Sequence, residues 1–237
     1  MDLYGTILRF FQEGGIFMFP IAATGAFGLA VTIERWLYLN RTIAKNRTLW
    51  QRTAPQIIDG NLDGADRVAQ GSETALAGLL RYGIGRIRQN WPRDDLQRSL
   101  DGTVADTISM VEKRTHYLSM LANVATLLGL LGTIMGLVHA FAAVGQVSAA
   151  EKASLLAASI SEALNCTAFG LLVAIPLMVV HSFLQARASE IVDILDSASA
   201  KLLDAAAERS LATGKAPAAG TAARPAGDAP AANLVTA

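Results

Sequence analysis

The sequence predicts an all-α polytopic membrane protein with three transmembrane helices, of which the second and third extend into a cytoplasmic helical bundle. Three uncharged apolar stretches carry this prediction: residues 14–33, 117–138 and 163–186. Each has about the 20 residues that an α-helix needs to cross a bilayer. The 237 residues are 52% hydrophobic but only 6% aromatic, with 20 glycines, a composition that favours closely packed helices.

These stretches divide the chain into a regular order of membrane and water-facing segments. The predicted segments are a short periplasmic N-terminus (1–13), transmembrane helix 1 (14–39), a cytoplasmic helical domain (40–116), transmembrane helix 2 (117–142), a periplasmic connection (143–160), transmembrane helix 3 (161–186), a cytoplasmic helix extension (187–212) and a disordered tail (213–237). The tail is expected to be disordered because it consists mainly of Ala, Pro, Gly and Thr and lacks large apolar groups.

The distribution of basic residues predicts the orientation. Twelve of the 20 Lys and Arg residues lie in 40–116, and five follow the third stretch. Basic flanks face the cytoplasm, so the N-terminus and the connection 143–160 are expected on the periplasmic side. Glu34, Arg35 and Trp36 close the first stretch and are interpreted as an interfacial anchor. The formal net charge of zero gives no basic field for nucleic acid.

The region 40–116 has the pattern of amphipathic helices. Apolar residues recur at helical spacing over 43–54, 61–69, 73–90 and 94–113, with Gly and Pro between most of these stretches. Leu76, Leu79, Leu80 and Ile84 form one apolar stripe. No breaker separates the last stretch from the second transmembrane helix, so we expect the two to be continuous.

The second apolar stretch carries small and hydroxylated residues on one face. Thr126, Gly129, Thr133 and Gly136 are spaced three or four residues apart, and Gly132 and Gly136 form a small-xxx-small pair. One interpretation is close helix packing alone. The other is that the hydroxyls of Thr126 and Thr133 line a hydrated path, and the two interpretations are compatible.

A carboxylate, that of Glu162, directly precedes the third stretch. Glu162 either lies in the hydrocarbon, where it needs a functional partner or water, or lies at the interface near its own helix N-terminus. Asn165 and Thr167 continue the polar patch by one turn. Gly170 permits close approach of another helix, and Pro176 frees a backbone carbonyl and favours a kink.

The residues that commonly perform catalysis or bind metals are scattered. His116, His139 and His181 have no Cys, Asp or Glu at ligand spacing, and Cys166 suits a small packing position. No phosphate-binding loop, nucleophile elbow or zinc motif occurs. We therefore expect no metal, no cofactor and no enzymatic activity.

Three stretches of the chain are specific enough to indicate a family. They are GGIFMFPI with IERW in the first helix, LLGLLGTIMGLVHAF in the second and ISEALNCTAFGLLVAIPLMVV in the third. Together with the order of segments, they resemble the ExbB/TolQ/MotA proton-channel family, most closely its ExbB-like branch, over about residues 10 to 190. The family usually has proline where this chain has Thr126, which puts the local kink of the second helix in doubt.

The resemblance implies a subunit of a bacterial inner-membrane motor driven by protons. It implies a pentamer whose second and third helices line a pore around an ExbD- or TolR-like single-span partner, with a TonB-like energy transducer receiving the work. The matching pore positions here are Thr133, Glu162 and Thr167. Because the three stretches contain no Asp, Lys or Arg, a partner that supplies a titratable group is also expected on physical grounds. A TolQ-like envelope-maintenance subunit, a motility stator and a non-conducting structural scaffold are the alternatives.

Overall fold

The computed structural model describes residues 15–145 and 148–212, and every regular element within them is an α-helix. The helices are α1 (Met18–Ile58), α2 (Leu62–Gln70), α3 (Ala75–Arg88), α4 (Arg93–Glu112), α5 (His116–Val144) and α6 (Ala149–Ala212). The all-α prediction is confirmed. The predicted N-terminus (1–13) and tail (213–237) lie outside the described residues.

Two of the helices are much longer than a bilayer is thick. With 41 and 64 residues, α1 and α6 are about 60 Å and about 95 Å long at the usual rise per residue. The sequence predicted a separate helix over 43–54, but α1 continues through this region because neither Gly nor Pro occurs between residues 39 and 54. α1 therefore extends into the same helical bundle as the C-terminal part of α6.

Two helical segments of the described residues are long and apolar enough to cross a membrane. They are Arg93–Val144, which joins α4 and α5 through a short turn, and Ala150–Leu211 within α6. α1 does not meet the same requirement within the described residues, which begin after the start of the predicted stretch at residue 14. The first transmembrane helix therefore remains a prediction.

α6 is the central helix of the molecule and contacts α1, α3, α4 and α5. It runs parallel to α1, because Gly25 packs against Val173 near one end of the pair and Arg47 approaches Glu190 to 4.0 Å near the other. It also begins well before the predicted start of the third transmembrane helix at residue 161. Much of the predicted connection 143–160 is thus helical.

A water-facing helical bundle is predicted here, and a bundle does form around the C-terminal part of α6. A Cβ on Gly83 of α3 would lie 2.7 Å from Leu202 Cδ1 and 3.2 Å from Leu100 Cδ2, so α3, α4 and α6 meet at this point. The stripe predicted on α3 is confirmed, since all four of its residues are buried. The fully buried leucines and isoleucines of this core include Leu76, Leu79, Leu80, Ile84, Leu96, Leu100, Ile191, Leu195 and Leu202.

Polar side chains join the short helices of the bundle to their neighbours. The buried Asn46 of α1 accepts a hydrogen bond from the Leu76 backbone N–H at 3.1 Å, at the start of α3. Arg88, at the end of α3, donates to Asp63 at 2.6 Å and to Asp66 at 3.0 Å. These hydrogen bonds to Asp63 and Asp66 raise the pKa of the Arg88 guanidinium.

The second transmembrane helix is separated from α4 by a turn rather than continuous with it. α4 ends at Glu112 and α5 begins at His116, with the Thr115 backbone N–H bonded to the Glu112 carbonyl at 2.9 Å. Lys113 and Thr115 keep helical dihedral angles, so α5 follows α4 after a local break. The sequence contains no Gly or Pro here, which is why pattern alone did not reveal the break.

α1 contacts this turn through two charged residues. Arg35 is only 4% exposed and donates from Nη2 to the Val111 carbonyl at 3.2 Å. Glu34 forms an ion pair with Arg114. Arg35 is thus buried against α4, whereas Trp36 is exposed. The interfacial-anchor interpretation stays a prediction.

Candidate functional site

α5 and α6 pack so closely that glycine is required at the contact. A Cβ on Gly170 would lie 2.8 Å from the Ala125 carbonyl oxygen, and one on Gly129 would lie 3.2 Å from the Gly170 Cα. Further along, a Cβ on Gly136 would lie 3.0 Å from the Ala163 Cβ. Residue numbers rise along α5 as they fall along α6, so the two helices are antiparallel.

The start of α1 completes this contact. Gly132 packs directly against the Cys166 sulfur, and a Cβ at Gly132 would also lie 3.3 Å from the Phe17 Cβ. Cys166 is buried at this three-helix junction, in agreement with the packing position that its surroundings in the sequence suggested. The glycines predicted to pack, Gly129, Gly132 and Gly170, thus lie between helices.

Two threonines meet at the edge of the α5–α6 contact, beside its packed glycines. Thr133 of α5 can donate to the Gly129 carbonyl at 3.1 Å and Thr167 of α6 can donate to the same carbonyl at 2.9 Å. The two hydroxyls also contact each other, so while one donates to the carbonyl the other can donate to its partner's oxygen instead. Each hydroxyl has one proton to donate and two lone pairs to accept. The two hydroxyl protons are fewer than the three contacts, so either threonine can be the one that donates to the carbonyl. In both arrangements a hydroxyl oxygen keeps a lone pair that can accept from a further donor.

The other predicted site residues of these helices do not join the pair. Thr126 lies about two turns from Thr133 along α5 and donates to the Ala122 carbonyl at 3.1 Å. α5 is unbroken at Thr126. Pro176 is exposed within α6, which continues through it as one helix.

Glu162 lies beside the first turn of α1. A Cβ on Gly15 would contact the Glu162 carboxylate, with the Cδ 3.2 Å away. The interpretation that Glu162 lies near its own helix N-terminus is wrong, because α6 already begins at Ala149. The positive end of a helix dipole close to this carboxylate is instead that of α1.

The carboxylate and the hydroxyl pair lie on the same helix at a short spacing. Thr167 follows Glu162 by about 8 Å along the axis of α6. The carboxylate can take up and release a proton, whereas the hydroxyls can only transfer one along a hydrogen-bonded chain. This arrangement suits proton movement along a helix pair that has no Asp, Lys or Arg between Arg114 and Glu151 or between Glu162 and Arg187.

The histidines, which looked isolated in the sequence, are partly brought together. His116 and His181 line the same small cavity with Glu112 at the far end of the α5–α6 pair, whereas His139 is exposed on α5. Within the described residues, no group of three His, Cys, Asp or Glu side chains could hold a metal ion. Sequence spacing did not reveal this cavity, because His116 and His181 are far apart in the chain.

The long apolar helices define a helical membrane protein, with a pair of contacting threonine hydroxyls between two closely packed helices. The sequence profile of the MotA/TolQ/ExbB proton channel family matches residues 71–197, which is more than half of the chain. The chain belongs to this family. The family is described as a proton channel and not as an enzyme.

Individual relatives agree with this assignment. A protein of Methanothermobacter thermautotrophicus, provisionally named biopolymer transport protein ExbB homolog, is 27% identical over 205 residues, covering 83% of this chain and 69% of its own. An ExbB-like protein of Synechocystis is 25% identical over 200 residues, covering 83% and 77%. The Tol-Pal system protein TolQ of Haemophilus influenzae is 36% identical over 173 residues, covering 68% and 75%. The resemblance to the ExbB-like branch is confirmed.

Proposed function

We propose that this chain is the pore-forming subunit of an inner-membrane motor that uses the proton motive force to energise an envelope process such as TonB-dependent transport. The observation that carries the proposal is the hydroxyl pair, Thr133 and Thr167, on the shared Gly129 carbonyl. Close helix packing alone needs only small side chains such as those of glycine and alanine, and it does not require hydroxyl groups. Two hydroxyls meeting on one carbonyl provide a polar step inside an otherwise apolar contact.

In this mechanism, Glu162 takes up a proton at the periplasmic end and passes it towards the hydroxyl pair. The relative numbers of basic residues favour a periplasmic N-terminus and a cytoplasmic C-terminus, which puts Glu162 on the side of high proton concentration. Thr126 lies on the cytoplasmic side of the pair, where its hydroxyl extends the polar face. The packed glycines keep the two helices at a fixed separation.

A second protein must complete the path. The hydrocarbon core is about 30 Å thick, and a charge moving through it needs titratable or hydrated groups along its route. We therefore assign an ExbD- or TolR-like single-span partner with a membrane carboxylate, and a TonB-like energy transducer that receives the work in the periplasm.

A homo-oligomer, which we propose to be a pentamer, would enclose that partner. One α5–α6 pair cannot surround a helix, and both helices present large apolar side chains that the chain itself leaves uncovered. These exposed residues include Leu127, Leu130, Ile134 and Val138 of α5 and Leu164, Leu171, Leu172 and Ile175 of α6. Subunit contacts and lipid together would cover such a surface in the bilayer.

A TolQ-like role in envelope maintenance is the second candidate. It is favoured by the 36% identity with the Haemophilus influenzae TolQ, which is higher than that with the ExbB-like proteins above, although over a shorter part of this chain. Deletion of the gene distinguishes the two roles. Loss of energised uptake indicates the TonB-linked function, whereas outer-membrane leakage with normal uptake indicates the TolQ-like function.

Replacement of the carboxylate tests the proton path. Glu162→Gln keeps the size and polarity of the side chain but removes its titration, so we expect proton flux through the purified complex to fall at least about tenfold while assembly is retained. Glu151→Gln is the matched control, because it makes the same change near the start of the same helix. If the Glu162→Gln variant supports full energised transport, Glu162 has no role in a proton path. The non-conducting structural scaffold would then be the remaining interpretation.

Native mass spectrometry of the gently extracted complex tests the assembly. We expect five copies of this chain with small single-span chains bound, because the proposed path needs a second protein. A sample denatured before measurement is the control that fixes the mass of each chain. A monomer or a partner-free assembly that persists under mild extraction would contradict the proposed path.

A further inference from the structure

A small cavity lies at the turn between α4 and α5, where both helices meet α6. Its volume is about 60 Å³. The side chains that line it come from all three elements: Glu112, Thr115, His116, His181, Gln185 and Ala188. Two imidazoles, a carboxylate, an amide and a hydroxyl are an unusual lining for a cavity at the end of two apolar helices.

One of these groups indicates that the cavity holds water. Thr115 is 3% exposed, and its Oγ1 is buried without a hydrogen-bond partner in the protein. A buried hydroxyl left unsatisfied costs about 1–3 kcal/mol, so a ligand with hydrogen-bonding atoms is expected beside it. One water molecule needs about 10–15 Å³ of cavity volume, so this cavity has room for several water molecules.

The cavity lies at the opposite end of the membrane helix from Glu162. His181 follows Glu162 on α6 by about 29 Å along the axis, which is close to the thickness of the hydrocarbon core. Thr167 lies between them. A titratable group thus stands at each end of the uncharged part of α6, with the hydroxyl pair between the two.

We propose that His116 and His181 form a hydrated proton-release site at the cytoplasmic end of the α5–α6 pair. This inference rests on the proposed function and adds the place where the proton leaves. Imidazole is the side chain whose charge changes between pH 5 and 8, near cytoplasmic pH. His116 is exposed and His181 half-buried, so together they connect the cavity with the surface.

The charges around the pair are compatible with this role. Glu112 of α4 lines the same cavity, so a carboxylate is present beside the two imidazoles. On α1, Glu34 is paired with Arg114, and Arg35 donates to the Val111 carbonyl, so these groups are engaged outside the cavity lining.

The proton transfer needs no other reactant. The proton that arrives along the helix pair protonates a water in the cavity, and the hydronium gives a proton to a neutral imidazole nitrogen and becomes water again. The imidazolium then gives its proton to cytoplasmic water, which restores the neutral ring. Thr115 and Gln185 line the cavity beside this water.

Histidine titration by NMR of the full chain in lipid nanodiscs tests the site independently of transport. The chain has three histidines, so each signal can be assigned by replacing one of them. We expect His116→Gln to move the titration midpoint of His181, because both residues line one cavity. His139→Gln is the matched control and should move neither midpoint. Independent titration of His116 and His181 would overturn the proposal.

Proton flux in proteoliposomes of the native complex tests the role. We expect His181→Ala to lower flux at least about threefold near neutral pH, with recovery when imidazole is added to the cytoplasmic-side buffer, which a purely structural role would not show. Normal flux in His181→Ala, together with loss of flux in Glu162→Gln, would overturn the release site and leave the proposed function standing. Normal flux in Glu162→Gln would overturn the proposed function itself, and the titration result would still decide whether the site exists.

Discussion

At the scale of single residues, the Gly129 carbonyl is the meeting point of the candidate site. It accepts from its own helix through Thr133 and from α6 through Thr167. Both donors come from side chains that are only partly buried, so the pair lies at the edge of the helix contact and not in its interior. A hydroxyl pair at an edge can reach a partner helix while the glycines beside it remain packed.

Removal of either hydroxyl should therefore interrupt the same step. Thr133→Val and Thr167→Val keep the branched shape but lose about 1 kcal/mol of hydrogen bonding each, and we expect either variant to reduce proton flux severalfold. Because the two hydroxyls act as one unit, the double variant should be little worse than the single variants. Flux measured in proteoliposomes checks this.

Thr24→Val is the control for these variants. Thr24 lies on α1 and donates to the Pro20 carbonyl at 2.8 Å, so the same change there removes an equivalent local hydrogen bond. Unchanged flux in both single variants would contradict a role for the pair. Equal losses in Thr24→Val would show that hydroxyl removal acts through general destabilisation.

At the scale of helices, the α5–α6 contact depends on the absence of side chains. The Gly170 contact is with the Ala125 carbonyl, a backbone atom that cannot rotate away. Sequence spacing identified the small residues of each helix, but it did not specify their register. The register of α5 against α6 decides which glycine faces which backbone group. The contacting residues are about 40 positions apart in the chain, and helical periodicity within one helix contains no information about the register between two helices.

Gly170→Ala should separate the two helices. The new methyl group would lie 2.8 Å from the Ala125 oxygen, and overpacking of this kind typically destabilises by about 1–3 kcal/mol. We expect a lower melting temperature in detergent, measured by circular dichroism, and less of the assembled complex.

Gly78→Ala is the matched control for this substitution. It lies in α3 with no atom within 4 Å of its Cβ position, so the same change should leave stability unchanged or raise it by up to about 1 kcal/mol. Equal melting temperatures for Gly170→Ala and the native chain would mean that the helices separate easily and that close packing is not required.

At the scale of the whole molecule, α6 connects the apolar membrane region to the helical bundle as one continuous helix. Composition and periodicity predicted this arrangement correctly for α6, because no Gly or strong breaker interrupts the chain between Pro176 and Ala212. They did not predict the turn at Lys113–Thr115, which has ordinary helix-compatible residues. There, α1 supplies Arg35 and Glu34 from a distant part of the chain, and such tertiary contacts override local propensity.

The bundle and the membrane helices should nevertheless differ in local stability. Leu202 is fully buried where α6 meets α3 and α4, so Leu202→Ala should destabilise the bundle by about 2–5 kcal/mol. Amide hydrogen exchange should then increase in α3 and α4, while exchange around Gly129 stays slow because the glycine contact of α5 with α6 does not involve Leu202. Leu211→Ala, at a position that is 77% exposed, is the control and should change neither region. An equal increase of hydrogen exchange in α5 would show that the bundle and the membrane helices unfold as one unit. The two regions would then transmit force to each other through their shared stability as well as through the continuous helix α6.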